Sequence, residues 1–142
     1  MIHVEIEALT SPQIFTLLST LDVDFAARLS ESVNLNEYSE KLSRFAQFVV
    51  ATNENEIAGI VAFYKNETTK SLYVPYVCTG VKYRGMGIGS QLLQKLIAYA
   101  DSLGFPIELE VLKTNISAIM LYQRAGFEVC GESLSKYNMI RN

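Results

Sequence analysis

Tyr83-Arg84-Gly85-Met86-Gly87-Ile88-Gly89-Ser90 is the stretch whose reading decides the fold. Before it lies a strand-like run, Leu72-Tyr73-Val74-Pro75-Tyr76-Val77-Cys78. After it lies a helix-like run from Ser90 to Leu103, with apolar Leu92, Leu93, Leu96, Ile97 and Ala100 on one face. Glycines therefore sit where a strand hands over to a helix. Glycine accepts positive φ and lets the backbone be approached closely. The first turn of a helix has N–H groups without intrahelical partners, and its dipole adds partial positive charge. Converging amides of this kind suit a phosphate or diphosphate. The competing reading is a tight strand-to-helix turn with no ligand. The stretch lacks the Lys-Ser/Thr that would follow in a P-loop nucleotide site.

Upstream of this stretch, Ile2 to Leu9 alternates apolar and polar residues and reads as a strand. Thr10-Ser11-Pro12 signals a helix start, and the helix should turn Ile14, Phe15, Leu17, Leu18 and Leu21 inward. Asp22 to Leu35 is hard to assign; Phe25 to Leu29 could form a helical turn. A second helix is expected from Asn36 to about Phe45, capped by Asn36. Ala46 to Thr52, Glu56 to Lys65 and Ser71 to Val81 read as strands separated by polar turns. Pro75 removes a ladder donor, so its strand should be bulged there or leave its neighbour. Downstream, Gly104 and Pro106 end the helix. Ile107 to Leu112 is a strand, Asn115 or Thr114 caps a helix ending at Gly126, and Glu128 to Gly131 and Ser135 to Ile140 are the last strands. This order predicts an α/β chain with a mixed, mainly antiparallel sheet flanked by helices, not a doubly wound parallel one.

Two segments carry a resemblance to a known family. Arg84-x-x-Gly87-x-Gly89 resembles the acetyl-CoA loop of the GCN5-related N-acetyltransferases, the GNAT superfamily. Leu109-Glu110-Val111, Asn115, Ala118, Leu121-Tyr122 and Ala125-Gly126-Phe127 are similar to its second acetyl-CoA motif, in family order and separation. The likeness is strong from Tyr73 to Gly131. It implies a GNAT fold in which the fourth and fifth strands splay apart, with acetyl-CoA as co-substrate and no metal. Residues Arg84, Gly85, Met86, Gly87, Ile88, Gly89 and Ser90 would hold the diphosphate. Main-chain groups of Val77, Cys78, Thr79, Gly80 and Val81 would pair with the pantetheine arm, which the Asn115 amide would also face, and Ser117 would be a further cofactor contact. An N–H near Cys78 or Thr79 would polarise the thioester carbonyl. Asn115 is equally readable as a plain N-cap, and the two roles are compatible. Tyr122, two helical turns on, resembles the family's general acid; its competing reading is core packing. One departure is that Gly80-Val81-Lys82 stands where members often carry an aliphatic-x-Pro.

Glu110 and Tyr76 are the candidates for a base; a solvated strand face is the competing reading for Glu110. Cys78 has no evident His partner and reads as buried. The chain has 142 residues, 49 % hydrophobic and 19 % charged, consistent with one globular domain spanning 1–142. Its net charge of −3 argues against a nucleic-acid partner. No apolar run is long enough for a membrane span, and Met1 to Glu7 does not read as a signal peptide. Cys78 and Cys130 lack metal-ligand spacing and read as two buried thiols of a cytoplasmic protein. The resemblance in the two motifs implies acetyl transfer, with the primary amine of a small molecule as the favoured acceptor. Phe25, Tyr38, Phe45, Tyr73, Tyr76 and the two glutamates Glu108 and Glu110 are candidate acceptor contacts. The alternatives are a protein or peptide N-terminal acetyltransferase and a non-catalytic coenzyme A module. A homodimer through Leu134 to Ile140 is a further candidate.

Overall fold

The computed structural model describes residues 1–21 and 34–142. The side chain of Leu21 and residues 22–33, which include the candidate Phe25, lie outside the described residues. The elements run β1 (Ile2–Glu7), α1 (Ser11–Leu21), α2 (Leu35–Phe45), β2 (Gln47–Asn53), β3 (Glu56–Asn66), β4 (Ser71–Thr79), a 3₁₀ turn (Val81–Tyr83), α3 (Ile88–Leu103), β5 (Ile107–Leu112), α4 (Ile116–Arg124), β6 (Glu128–Glu132) and β7 (Lys136–Arg141). The strands form one sheet in the order β1-β2-β3-β4-β5-β7-β6. Every pairing is antiparallel except β4 with β5. The mixed, mainly antiparallel sheet is therefore as the element order predicts.

Helices cover both faces. Ile14 and Leu18 of α1 and Leu42 of α2 pack on Phe48, Val50, Ile60 and Ala62. On the opposite face Leu92, Leu93, Leu96 and Ala100 of α3 pack on Val49, Val61, Phe63 and Ile107. Strand alternation sends neighbours of one strand to opposite cores. Among the described side chains of α1, Phe15 departs from the expectation: it is 37 % exposed rather than turned inward.

Local chemistry sets the helix ends. Thr10 caps α1 in a reciprocal box: its Oγ1 accepts from the Gln13 N–H, and Gln13 Oε1 accepts from the Thr10 N–H. The cap of α2 is Asn34, whose Oδ1 accepts from the N–H groups of Asn36 and Glu37, so the expected cap at Asn36 is corrected by two residues. Helix α3 starts at Ile88, two residues before the expected Ser90. Gly87, in a left-handed conformation, lets the chain enter the helix there.

Pro75 has both predicted effects. The β3–β4 register slips between Ala62 and Tyr64, which face Tyr76 and Tyr73, so Val74 and Pro75 oppose Phe63 alone. The parallel pairing of β4 with β5 runs only from Leu72–Val74 against Ile107–Leu109 and stops before Pro75. The extra residue also reverses the alternation. Leu72 and Val74 face the α3 core, whereas Tyr76 and Cys78 face the α1–α2 core. The sheet forks at this point.

Candidate active site

Beyond the fork, β4 pairs with β3 on one edge only. Gly80 donates its N–H to Ala58 O at 2.8 Å, and main-chain groups alternate sides along a strand. The groups of Cys78 thus turn toward β3 with those of Gly80, while those of Val77 and Thr79 turn toward the opened gap. Arg84 agrees with this parity, since its Nε donates to Thr79 O at 3.4 Å. Of the two candidate carbonyl-polarising amides, Thr79 therefore points into the gap and Cys78 does not.

The glycine turn follows. Gly85 and Gly87 both have φ of 78°, a region that costs an L side chain roughly 1–2 kcal/mol. A Cβ at either position would meet nothing within 4 Å, so both open onto free space. The third glycine acts differently: a Cβ on Gly89 would lie 3.1 Å from Leu121 Cδ2, so its bareness lets α3 approach α4. The Gln91 N–H bonds to Gly87 O. That leaves the N–H groups of Ile88, Gly89 and Ser90 without acceptors inside the helix. Three amides without helical acceptors thus stand at a positive helix end on residues that line a cavity, an arrangement suited to an anion.

Helix α4 supplies the other wall. Asn115 caps it, its Oδ1 accepting from the Ala118 N–H at 3.3 Å and from Ser117 Oγ at 3.4 Å. These bonds occupy the oxygen and leave the amide NH₂ for other partners. A cavity of about 1100 Å³ joins the pieces. It is walled by Val77, Cys78 and Thr79 of β4, by the turn from Tyr83 to Gly85, and by Gly87, Ile88, Gly89 and Ser90. Asn115, Ser117, Ala118 and Leu121 close it from α4.

Met86 and Tyr122 are not on this wall. Met86 is 59 % exposed at the tip of the turn. Tyr122 is 7 % exposed and packs in the α3 core with its ring 5.7 Å from Phe127. That core also holds Val74 and Leu109, the last paired residues before the fork, and Val111 beyond it. Burial pushes the Tyr122 hydroxyl up to about 12. No buried side-chain oxygen or nitrogen lacks a partner among the described residues, and none of them bonds Tyr122 Oη, so that atom keeps access to solvent.

The two base candidates lie on the other face. Glu110 follows Leu109 directly past the fork, is half exposed, and has Oε2 3.6 Å from Lys136 Nζ. Tyr76 and the Cys78 side chain are buried in the α1–α2 core. Cys130, expected to be buried, is exposed on β6, the edge strand of the sheet beside β7. Among the acceptor candidates, Tyr73 is 36 % exposed and Phe45 64 % exposed. Tyr73 pairs in register with Tyr64 and Glu108. Burial raises the Tyr73 hydroxyl, with Glu110, Tyr64 and Glu108 adding to it.

The sequence reading did not single out Gln94, Arg124 and Arg141, and gave Ile97 only to the apolar face of its helix; these residues extend the cavity along α3 and α4. Arg141 donates from Nε to Ala125 O at 3.2 Å and from NH1 to Asp101 Oδ1 at 2.9 Å. The last strand thus ties the ends of α3 and α4 together. Positions one turn apart on α3, Ser90, Gln94 and Ile97, were a readable signal once a site was placed at the start of that helix. Among the described residues no group of three or more His, Cys, Asp or Glu could hold a metal. None of the described helices is long and apolar enough to cross a membrane.

The model of the Acetyltransferase (GNAT) family matches residues 14–127. Comparison with curated proteins returns no match. Among solved structures, a PaiA N-acetyltransferase from Thermoplasma acidophilum in complex with coenzyme A aligns with TM-score 0.76 at 16 % identity, over 99 % of each chain. The ribosomal-protein-S18-alanine N-acetyltransferase of Escherichia coli aligns with TM-score 0.77 at 16 % identity, over 98 % of this chain and 93 % of that one. A Bacillus subtilis acetyltransferase in complex with coenzyme A aligns with TM-score 0.73 at 17 % identity, over 100 % and 99 %.

Proposed function

The chain belongs to the GNAT family of acetyltransferases, and from that premise we propose that it transfers an acetyl group from acetyl-CoA to the primary amine of a small molecule within a ternary complex. One observation carries the reading: the open glycine turn at the head of α3 lies on the same cavity as the unpaired edge of β4. The two halves of coenzyme A need those two surfaces. Its diphosphate suits the amides of Ile88, Gly89 and Ser90, with Arg84 adjacent. Its amide-bearing arm suits the gap-facing main chain of Val77 and Thr79, as an added strand would. The bare edges at Gly85 and Gly87 support the fit, because a methyl there would fill the space a phosphate needs.

Acetyl-CoA supplies an activated acyl thioester when bound. The chain's own part is positioning and polarisation. The Thr79 N–H is directed to donate to a carbonyl oxygen in the gap. The Asn115 amide fixes the arm from α4. Tyr122 stays protonated throughout the neutral range and stands behind the cavity wall; its place in the α4 motif is what assigns it as donor to the sulfur. Glu110, half exposed on the opposite face, stands where an amine would enter, while Tyr76 on that face is buried in the α1–α2 core. Holding two reactants in register accounts for much of the acceleration.

Calorimetric titration with acetyl-CoA tests the first half; absence of heat at millimolar ligand would defeat it. Thioester consumption that depends on an added amine, screened over small amines and short peptides, tests the second. Turnover with peptides alone would overturn the small-molecule acceptor.

A further inference from the structure

The loop that precedes the anion turn is fastened to the sheet through a hairpin that carries no family motif. Asn53 ends β2 and Glu56 begins β3. Tyr83 reaches back to both: its hydroxyl donates to Glu56 Oε2 at 3.1 Å and accepts from Asn53 Nδ2 at 3.3 Å. Lys82 places its Nζ 2.8 Å from the same Oε2 and 5.6 Å from the centre of the Tyr83 ring. One carboxylate oxygen thus gathers the side chains of two consecutive loop residues. Tyr83 is 5 % exposed, lines the cavity, and leads directly into Arg84 and Gly85. The remaining bonds of the loop before Arg84 are main-chain turns, apart from the Gly80 anchor to Ala58 of β3.

Accepting the coenzyme reading above, on which this rests, we infer that Glu56, with Asn53, is a positioning residue for the diphosphate turn and acts through Tyr83. A loop held at both Ala58 and Glu56 has less freedom to lose when an anion is bound. The charge of Glu56 works against an anion, so its presence near the turn calls for another reason. Lys82 pairs with it, and hydrogen bonding by Lys82 holds the Glu56 carboxyl below its usual range. The sign of the mutational effect therefore separates two roles. If Glu56 mattered only as a charge, its removal would tighten anion binding. If it positions the loop, removal weakens binding.

The test measures binding of coenzyme A and of S-acetylpantetheine, which lacks the diphosphate, to the wild type, Glu56→Ala, Glu56→Gln and Tyr83→Phe. Glu56→Ala should weaken coenzyme A about tenfold and leave S-acetylpantetheine within twofold. Glu56→Gln keeps an acceptor for the Tyr83 hydroxyl and should recover most of the loss. In turnover, Glu56→Ala should raise KM for acetyl-CoA with kcat within twofold. Tyr83→Phe removes both bonds while keeping the ring, and should reproduce the loss if Glu56→Ala fails to fold. Equal or tighter coenzyme A binding by Glu56→Ala or Tyr83→Phe overturns the inference, as does an equal loss for both ligands. A wild type that binds no coenzyme A sinks the coenzyme reading instead.

Discussion

Burial that holds the Tyr122 proton up to about pH 12 bears on what this residue can do. Full transfer from such a phenol to a thiolate, whose ordinary pKa is about 8.5, is uphill by roughly 5 kcal/mol. In the proposed reaction this favours a hydrogen bond from Tyr122, not full proton transfer, as charge develops on sulfur. Because its hydroxyl bonds none of the described residues, Tyr122→Phe should leave the melting temperature within about 1 °C, a small fraction of the shift expected per kcal/mol. Turnover should drop by roughly 100-fold, with acetyl-CoA affinity within twofold; unchanged turnover in steady-state assays would remove Tyr122 from the reaction. The pH dependence follows with a definite sign. The folded pKa is raised above the unfolded value of about 10. Its protonated form thus favours the folded state fully below pH 10, and that stability is lost as pH climbs from 10 toward 12. The slope is up to about 1.4 kcal/mol per pH unit. Denaturant titrations at pH 9 and 11 should show a smaller loss in Tyr122→Phe than in the wild type.

At the scale of elements, α3 begins and ends on left-handed glycines that make a matched pair. Gly87 has φ of 78° and Gly104 φ of 70°, and a Cβ at either meets nothing within 4 Å. Alanine at each should cost about 1 kcal/mol of stability, from the same backbone strain. Only Gly87→Ala should also lose acetyl-CoA affinity, by tenfold or more in calorimetry, because only that end of the helix faces the cavity. Equal affinities would mean the turn holds no anion. Gly59 on β3 carries a different demand. A Cβ there would lie 2.8 Å from Cys78 O and 3.2 Å from Ile88 Cγ2 and Leu92 Cδ1. Gly59→Ala should destabilise by about 1–3 kcal/mol in chemical denaturation, since a backbone oxygen cannot swing aside. Nothing in the sequence around Gly59 announces this, because the demand comes from two other elements, β4 and α3, that lie further along the chain. Pro75 is the opposite case. Its missing N–H is a local property, so both the bulge and the parting of β4 from β5 were readable from one residue. Caps fall between: Asn34 and Asn36 have the same chemistry two positions apart, and only the helix phase chooses.

Across the whole molecule, one sheet carries two cores, and the site occupies the place where the sheet opens between them. That place was legible because strand, glycine turn and helix are contiguous in sequence. Arg141 and Glu56 were not, since they reach the site through tertiary contacts from distant strands. The division of the molecule predicts where coenzyme A should register in hydrogen exchange. Strand β2 is paired on both sides, with β1 and β3, and none of its residues lines the cavity, so the exchange of its amides should hardly change. The head of α3 should respond, because Ile88, Gly89 and Ser90 have amides without helical acceptors. Along β4 the response should alternate. Val77 and Thr79 turn their N–H groups to the gap and gain a partner when the arm binds. Cys78 and Gly80 are committed to β3, Gly80 at 2.8 Å from Ala58 O, and gain none. Residue-resolved exchange by NMR, with and without coenzyme A, should therefore slow Val77 and Thr79 by tenfold or more while Cys78 changes little. Uniform slowing along β4 would point to general tightening of the fold, and slowing at Cys78 alone would mean the strand presents the opposite parity to its ligand.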